Sequence, residues 1–298
     1  MWTDGRYYIQ AEKQLEAGWE MMKMEAGQTM WFEHIKNTLQ EGQVLGIDFT
    51  QYPASALQAR VEYFKKSNIE VKSVPNLVDI VWGDERPARP ANPAKTLDIK
   101  FAGKTSLEKQ EQIAQKLKDK EYEAFLVTTL DDICWLTNLR GTDIDYNPVF
   151  FAYGLFYPKR PAEEARFVLF MNPSAEVDRE YLASQKIETR PYDEITEWLS
   201  IYASGEAKIG IHVETCNAEL HRICGDSVVK SENAIKDTKP AKNPTEMEGM
   251  RQCNIRDCAA IMKYFAFLEE ELRKPDHGLT EFSGARILDE MRTKGQYH

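Results

Sequence analysis

The chain has 298 residues, 42% of them hydrophobic, and a formal net charge of −10, which is enough material for two globular domains or one and a half. Lys and Arg number 38 against 48 Asp and Glu, so binding to a phosphate backbone is disfavoured and no nucleic acid partner is expected. The mean hydropathy is −0.54, no apolar run approaches about eighteen residues, and the N-terminus is unlike a signal peptide. These features predict a soluble cytoplasmic protein with no membrane partner.

A strand–helix–strand unit in the first part of the chain is echoed in the second. The first unit surrounds Gly46 and reads GQVLGIDF, QYPASALQARVEYFKK and IEVKSV. The second surrounds Gly210 and reads GEAKIGIHV, TCNAELHRICGD and SVVKSENAI. The two Gly-Ile pairs lie 164 positions apart, and the apolar segments at 1–4 and 167–171 have almost the same offset. We therefore predict an internal duplication.

The second unit is preceded by a block that the first unit lacks. This block is predicted to contain a helix over Ser106–Lys118, a strand over Ala124–Thr128 and a strand over Val149–Tyr157. If the two copies were originally of equal length, roughly sixty further residues would precede Met1. The first copy is therefore expected to be truncated.

Two polar segments divide the chain. Arg86–Lys95 has a proline at every third position, which predicts an extended, stiff linker. Asn243, Pro244 and Glu246 have the spacing of a capping box at a helix start. The expected domains are a truncated first copy at 1–85, a Pro-rich linker at 86–103, a second copy at 104–242 and the start of a further domain at 243–298.

The last segment is predicted to be helical. Apolar residues recur with helical period from Met247 to Leu272, and a short helix is expected over Glu281–Arg292. Two helices of this size cannot close a core of their own, so they are expected to open a third domain. The alternative is that both helices dock back onto the second copy.

Two arginines stand out as candidate binding residues. Arg140 lies in the turn-rich string NLRGTDIDYNPVFF, where it is suited to contact a carboxylate or a partner subunit; the alternative is an ordinary loop with an internal ion pair. Arg6 follows the Asp4-Gly5 turn of WTDGRY and is expected to stack among aromatic neighbours; the alternative is a solvated arginine.

Other motifs of catalysis are missing from the sequence. The five cysteines lie in apolar or helical stretches without CxxC, which favours reduced, buried thiols over a disulfide framework. The five histidines show no HExxH pattern, so core or surface histidines are favoured over metal ligands. GxSxG, GxxxxGK[ST] and GxGxxG do not occur either. No catalytic and no metal-ligating residue is therefore predicted in this chain.

Several strings together resemble one family. In chain order they are MWTDGRYY with Gln10-Ala11, LVDIVWGDERPARP, LDDICWL, NLRGTDIDYNPVFF and KNPTEMEGMR. They resemble the cytosolic, three-domain Xaa-Pro aminopeptidases (aminopeptidase P) of the creatinase/prolidase "pita-bread" metallopeptidases, over essentially the whole chain. The implied fold class is α/β: two related creatinase-N-terminal-like α/β domains, the first one truncated, followed by the opening helices of a pita-bread domain.

The resemblance also implies a function. Members of this family are homodimeric metalloaminopeptidases that remove the N-terminal residue from peptides with proline in second position. Their dinuclear metal site, usually manganese, is held by two Asp, one His and two Glu of the catalytic domain, and none of these is carried onto this chain. Arg6 matches the substrate-contacting arginine of WTDGRY, and Arg140 is a weaker candidate for loop or dimer geometry. The chain alone is therefore expected to be inactive.

Two other hypotheses on the function remain open. The first is a non-catalytic pseudo-enzyme or dimerisation module that pairs with an intact relative. The second keeps the fold but changes the reaction to that of a prolidase or creatinase. The duplicated N-terminal region disfavours this second reading, since those relatives carry a single such domain.

Overall fold

The computed structural model describes residues 1–161, 164 and 166–295. His298, one of the histidines considered above, lies outside the described residues. The first copy contains the strands β1 (Trp2–Thr3), β2 (Met22–Lys23), β3 (Val44–Ile47) and β4 (Glu70–Ser73), and the helices α1 (Tyr8–Gln14), α2 (Trp31–Thr38), α3 (Ala54–Lys65) and α4 (Leu77–Trp82).

The rest of the chain contains longer elements. Its strands are β5 (Lys95–Thr96), β6 (Ala124–Val127), β7 (Leu139–Arg140), β8 (Ala152–Phe156), β9 (Phe167–Met171), β10 (Ile187–Pro191), β11 (Ile209–Ile211) and β12 (Val228–Lys230). Its helices are α5 (Ile99–Ala102), α6 (Ser106–Leu117), α7 (Leu130–Thr137), α8 (Arg179–Ser184), α9 (Glu194–Ala203), α10 (Ala218–Cys224), α11 (Ala234–Thr238), α12 (Pro244–Glu271) and α13 (Glu281–Thr293).

A six-stranded mixed sheet forms the centre of the second copy. Its order is β10-β9-β8-β6-β11-β12, and β8 runs antiparallel to both of its neighbours. Alternate residues of β6 enter different cores: Phe125 packs with residues of α6 and α7, and Leu126 with residues of α9 and α10. Helices therefore cover both faces of the sheet, which explains why its central strands are apolar throughout. This confirms the predicted α/β class.

The predicted duplication is confirmed by the strand pairing. In the second copy, β9 and β10 form one parallel pair at one end of the sheet, and β11 and β12 form another at the opposite end. The first copy has the same two parallel pairs, β1 with β2 and β3 with β4. In the second copy β8 and β6 lie between the pairs. Among the described residues of the first copy no strand fills that place, and the two pairs form separate sheets.

The two copies contact each other through equivalent positions. The Ala54 N–H donates to the Cys216 carbonyl at 2.8 Å, and the Ala218 N–H donates to the Tyr52 carbonyl at 2.8 Å. Ala54 and Ala218 are 164 positions apart, and so are Tyr52 and Cys216, which is the offset of the repeat. Leu57 joins both alanines in a small core beneath this contact. The copies are thus joined by a reciprocal, approximately twofold contact.

The start of α12 has the predicted capping box. Asn243 Oδ1 accepts the Glu246 N–H at 2.9 Å, and Glu246 Oε2 accepts the Asn243 N–H at 2.9 Å. Asn243 Nδ2 also donates to the Ala102 carbonyl at 2.8 Å, at the end of α5. Gly103 has a positive φ there, and a Cβ on it would lie 2.4 Å from Asn243 Oδ1. The cap of α12 therefore also attaches this helix to the linker.

Most of α12 lies exposed. Of its described residues only Ala260 is buried, and the residues Met262 and Phe265 are 71% and 62% exposed. The prediction of buried thiols is correct for three cysteines but wrong for Cys253 and Cys258, which are exposed on this helix. The physical reason is that the helix packs mainly on α13 and α5, which cover little of its surface.

The Pro-rich linker agrees with its sequence-based expectation. Residues 86–93 form no helix or strand, as their proline spacing predicts, while the domain boundaries themselves stay predictions. All five cysteines are free thiols. Within the described part of the chain, no helix combines the length and the apolar character that a bilayer span requires.

Substitution of Gly210 tests the packing of the central sheet. A Cβ at this position would lie 2.6 Å from the ring of Tyr122, which is fully buried and whose hydroxyl pairs with Ser231. We expect Gly210→Ala to lower the free energy of unfolding by about 2–3 kcal/mol through overpacking. Urea unfolding followed by circular dichroism measures the change. Gly205→Ala is the matched control, since its nearest neighbour would be 3.6 Å away, and equal effects of both variants would contradict the prediction.

The double role of Asn243 gives a second prediction. Asn243→Ala should weaken the first turn of α12 by about 1–2 kcal/mol, because it removes the cap and the bond to Ala102 together. Amide hydrogen exchange at residues 246–250 should then accelerate about fivefold to thirtyfold. Thr280→Ala removes the corresponding cap of α13 and should leave α12 protected. Unchanged exchange in α12 of the Asn243 variant would refute the role of this cap.

Candidate functional site

A cavity of about 1240 Å³ lies between the second copy and the start of α12. Its walls come from α5, α7, the loop that follows β7 and the first turns of α12. Apolar side chains such as Phe101, Trp135 and Met250 alternate with charged ones such as Lys109 and Arg140. This cavity combines a large volume with convergent polar groups, which is typical of a ligand site.

Arg140 lines this cavity and is partly buried. Its Nη1 donates to the carbonyl oxygens of Cys134 and Leu139, both at 2.8 Å. Burial lowers the pKa of the Arg140 guanidinium below its ordinary value, because the desolvated charge is disfavoured. Within the described residues no carboxylate forms an ion pair with it.

Asp143, in the loop after Arg140, binds backbone N–H groups and does not pair with Arg140. Asp143 Oδ1 accepts the Asn92 N–H at 2.9 Å, and its Oδ2 accepts the Phe151 N–H at 2.9 Å. Asp143 thus fixes the loop to the linker and to its own far end instead of pairing with Arg140. The alternative of an internal ion pair is not what the structure contains. A role of Arg140 in a dimer contact stays a prediction.

Lys109 is the most buried cation at the cavity, with 1% of the residue exposed. Its Nζ donates to Asn138 Oδ1 at 2.6 Å and to the Trp135 carbonyl at 3.0 Å, and it lies 4.7 Å from the centroid of the Trp135 ring. Burial lowers its pKa to about 8; Glu246 opposes this shift, while Arg140 adds to it. Lys109 was not among the residues predicted from the sequence, although it shares the buried helical stripe of Ile113 and could have been found by that spacing.

A third cation is neutralised within the fold. Lys239 Nζ bonds Asp132 Oδ1 at 2.6 Å and also pairs with Asp131. Asp132 is buried, and its Oδ2 accepts the Asn233 side-chain amide at 2.7 Å. This network joins α11 to the start of α7 and fills the hydrogen-bonding capacity of the buried carboxylate. Its role is therefore structural.

Arg6 lies outside the cavity, on the surface of the first copy. Its side chain is 78% exposed and forms a two-pronged pair with Asp4, from Nε to Oδ1 at 2.9 Å and from Nη2 to Oδ2 at 2.8 Å. These hydrogen bonds lower the pKa of Asp4 to about 2. The guanidinium carbon lies 5.6 Å from the centroid of the Tyr7 ring, so stacking occurs with one of the expected aromatic neighbours. The Arg6 Nη1 has no hydrogen-bond partner among the described residues. Arg6 is not among the residues that line the cavity of Arg140.

Metal ligands do not converge in the part of the chain that the structure describes. No group of three or more His, Cys, Asp or Glu side chains is placed to hold a metal ion there. His212 bonds Thr215 and approaches Glu214 at 3.4 Å, and His221 is partly buried on α10. The described residues therefore do not fit a dinuclear metal centre.

The buried ammonium of Lys109 predicts a pH dependence. Between its pKa of about 8 in the folded chain and the ordinary value of 10.5, the unfolded chain binds more protons, so stability rises with pH across this window. Replacing Lys109 with Met should remove about 1–3 kcal/mol of this rise. Urea unfolding at pH 7 and pH 10.5 measures it. Lys116→Met, at an exposed lysine of the same helix, should keep the wild-type dependence, and loss of the rise in both variants would contradict the assignment.

The chain is similar to known proteins over nearly its whole length. A family model described as Creatinase/Prolidase N-terminal domain matches residues 85–246. The "Probable Xaa-Pro aminopeptidase P" of Coprinopsis cinerea is 39% identical over 99% of this chain and 49% of that protein. The protein of the same name from Pyricularia oryzae is 36% identical over 98% of this chain and 49% of its own length. The chain thus spans about half the length of these relatives.

A solved structure agrees with these relatives. The X-prolyl aminopeptidase from Caenorhabditis elegans, described as a cytosolic enzyme with a di-nuclear active site, superposes with a TM-score of 0.86. It is 30% identical and covers 99% of this chain, while this chain covers 48% of it. The family model matches more than half of the residues of this chain. The two fungal relatives have the same name, and the match covers the same share of each of them. The chain therefore belongs to the creatinase/prolidase N-terminal domain family and is a homologue of the Xaa-Pro aminopeptidases P.

Proposed function

We propose that this chain forms the N-terminal, peptide-positioning part of a Xaa-Pro aminopeptidase. Such an enzyme removes the N-terminal residue from peptides that have proline in second position. The observation that carries the proposal is the superposition on the Caenorhabditis elegans X-prolyl aminopeptidase, which extends over 99% of this chain with a TM-score of 0.86. The similarity includes the first copy as well as the matched family domain, and this supports an aminopeptidase P over a relative with one N-terminal domain.

The metal belongs to a part of the proposed enzyme that the described residues do not form. We propose a dinuclear manganese centre, in keeping with the di-nuclear active site of the Caenorhabditis elegans enzyme. Because the described residues do not fit such a centre, the role proposed for this chain is to bind and orient the peptide. The proposed enzyme is a cytoplasmic homodimer.

Arg6 is the residue proposed to contact the peptide. Its pair with Asp4 occupies Nε and Nη2 and restrains the guanidinium. Nη1, which has no partner among the described residues, is available to donate to a peptide carbonyl. A hydrogen bond from a charged donor contributes about 1.5–3 kcal/mol. This corresponds to a factor of about ten to one hundred in kcat/KM, if the contact is kept in the transition state.

A fusion protein tests the proposed function. The 298-residue chain is joined to whatever part of the Coprinopsis cinerea relative follows the region of similarity. With Mn²⁺, the fusion should release the N-terminal residue from an Arg-Pro-Pro peptide, whereas the unfused chain should show no turnover above background. A monodisperse, folded fusion without turnover would contradict the proposal. If that fusion still formed a dimer, a non-catalytic dimerisation module would become the better explanation.

The contribution of Arg6 is measured in the same fusion. Arg6→Ala should lower kcat/KM about tenfold to one hundredfold, with an unchanged circular dichroism spectrum. Arg222→Ala is the matched control, because Arg222 is also exposed and forms a two-pronged pair with a nearby acid, Glu219. This control should keep kcat/KM within about twofold. Equal losses in both variants would show that Arg6 has no specific role in peptide binding.

A further inference from the structure

The cavity beside α12 carries an excess of positive charge although the whole chain has a net charge of −10. Six of the charged side chains that line it are Lys or Arg, and three are Asp or Glu. All three acids are already engaged: Asp131 pairs with Lys239, Glu248 pairs with Arg251, and Glu246 accepts the N–H of the α12 cap. Two of the cations are paired as well, Lys239 with Asp131 and Lys100 with Asp98. Glu246 offsets part of the charge of Lys109 and Arg140, so the excess of positive charge at the wall is only partly compensated.

Three cations at the wall lack a carboxylate partner among the described residues. Lys109 donates to a backbone carbonyl and to the side-chain oxygen of Asn138. Arg140 donates to two backbone carbonyls, and Lys242 Nζ donates to the Lys239 carbonyl at 2.7 Å. Neutral oxygens satisfy some of the N–H groups but do not cancel the charges. Lys109 and Arg140 are also withdrawn from water, fully and partly, and such cations favour a bound anion.

The nitrogens of Arg140 that make no hydrogen bond indicate which kind of anion would fit. Its Nη1 is occupied by the carbonyls of Cys134 and Leu139, whereas Nε and Nη2 have no hydrogen-bond partner among the described residues. Through these two nitrogens a guanidinium can donate to both oxygens of a carboxylate. The ring of Trp135 and the side chains of Phe101 and Met250 supply apolar walls beside it.

We propose that this cavity binds a carboxylate attached to an apolar body, with Arg140 as the two-pronged donor and Lys109 and Lys242 as additional positive charges. Either a small organic acid or the C-terminus of a peptide can supply this chemistry. The volume of about 1240 Å³ accommodates both. The site is a property of this chain and does not depend on the proposed peptidase activity.

The ionisation of Lys109 agrees with a positive charge that Glu246 compensates only in part. Burial lowers the pKa of Lys109 to about 8, and repulsion by Arg140 contributes in the same direction. A bound carboxylate would favour the protonated ammonium and raise this pKa. Binding near pH 8 should therefore be accompanied by proton uptake, and binding at pH 6 by much less. Calorimetry in two buffers of different ionisation enthalpy measures this uptake.

Paired ligands test the requirement for a carboxylate. Calorimetric titration of the 298-residue chain compares benzoate with benzamide, and acetyl-phenylalanine with acetyl-phenylalaninamide. In at least one pair the carboxylate should bind at least tenfold more tightly than its neutral amide. Equal affinity for benzoate and acetyl-phenylalanine would favour a small acid, and tenfold tighter binding of acetyl-phenylalanine would favour a peptide C-terminus. The absence of a carboxylate preference in both pairs, or tighter binding of inorganic phosphate, would overturn the proposal.

Variants locate the binding to the cavity. Arg140→Gln should weaken binding of the preferred carboxylate at least tenfold, and Arg140→Lys should restore it only partly because the two-pronged geometry is lost. Lys242 is exposed and makes a single backbone contact, so Lys242→Gln keeps the fold and should weaken binding about threefold. Arg222→Gln, at an exposed arginine on α10, is the control and should bind as the wild type does. Wild-type affinity in both the Arg140→Gln and Lys242→Gln variants would refute the site.

Discussion

The reciprocal contact between residues 52–54 and 216–218 determines how the two copies are arranged. Each copy donates through one N–H and accepts through one carbonyl oxygen, at equivalent positions of the repeat, as the subunits of a twofold dimer do. Ala54 and Ala218 donate the two N–H groups of this contact, and both are buried. Because α3 and α10 begin directly at these alanines, the contact also fixes the directions of the two helices. The small core that the two copies share lies beneath this contact. The arrangement of the copies therefore does not need a large apolar interface.

Local signals account for the parts of the fold that the sequence predicted well. The capping box at Asn243, the helix over Ser106–Lys118 and the strand over Ala124–Thr128 all depend on neighbours within a few residues, and their observed bounds differ by at most one residue. The burial of Cys253 and Cys258 was predicted wrongly for a different reason. Helical period shows which side chains share a face of α12, but whether another element covers that face depends on tertiary packing.

The candidate site shows the same limit for charged residues. The sequence identified Arg140 and its acidic neighbourhood, yet Asp143 is engaged by the backbone N–H groups of Asn92 and Phe151. Asn92 is 51 positions away in the chain, and no local pattern indicates that it competes for this carboxylate. Lys109 was overlooked because a lysine is normally exposed. Its position becomes explicable only when α6 packs on α7 and brings Asn138 within reach.

The attachment of α12 depends on polar contacts more than on apolar burial. Only Ala260 is buried among the described residues of this helix, so the hydrophobic effect contributes little along most of its length. Its first turn instead carries Glu246, whose carboxylate closes the cap. Burial lowers the pKa values of Lys109 and Arg140, and Glu246 partly opposes both shifts. Displacing the first turn of α12 would therefore remove a stabilising negative charge from two desolvated cations of the second copy. This electrostatic coupling links the seating of α12 to the charge of the cavity, and any anion bound there would take over part of the role of Glu246.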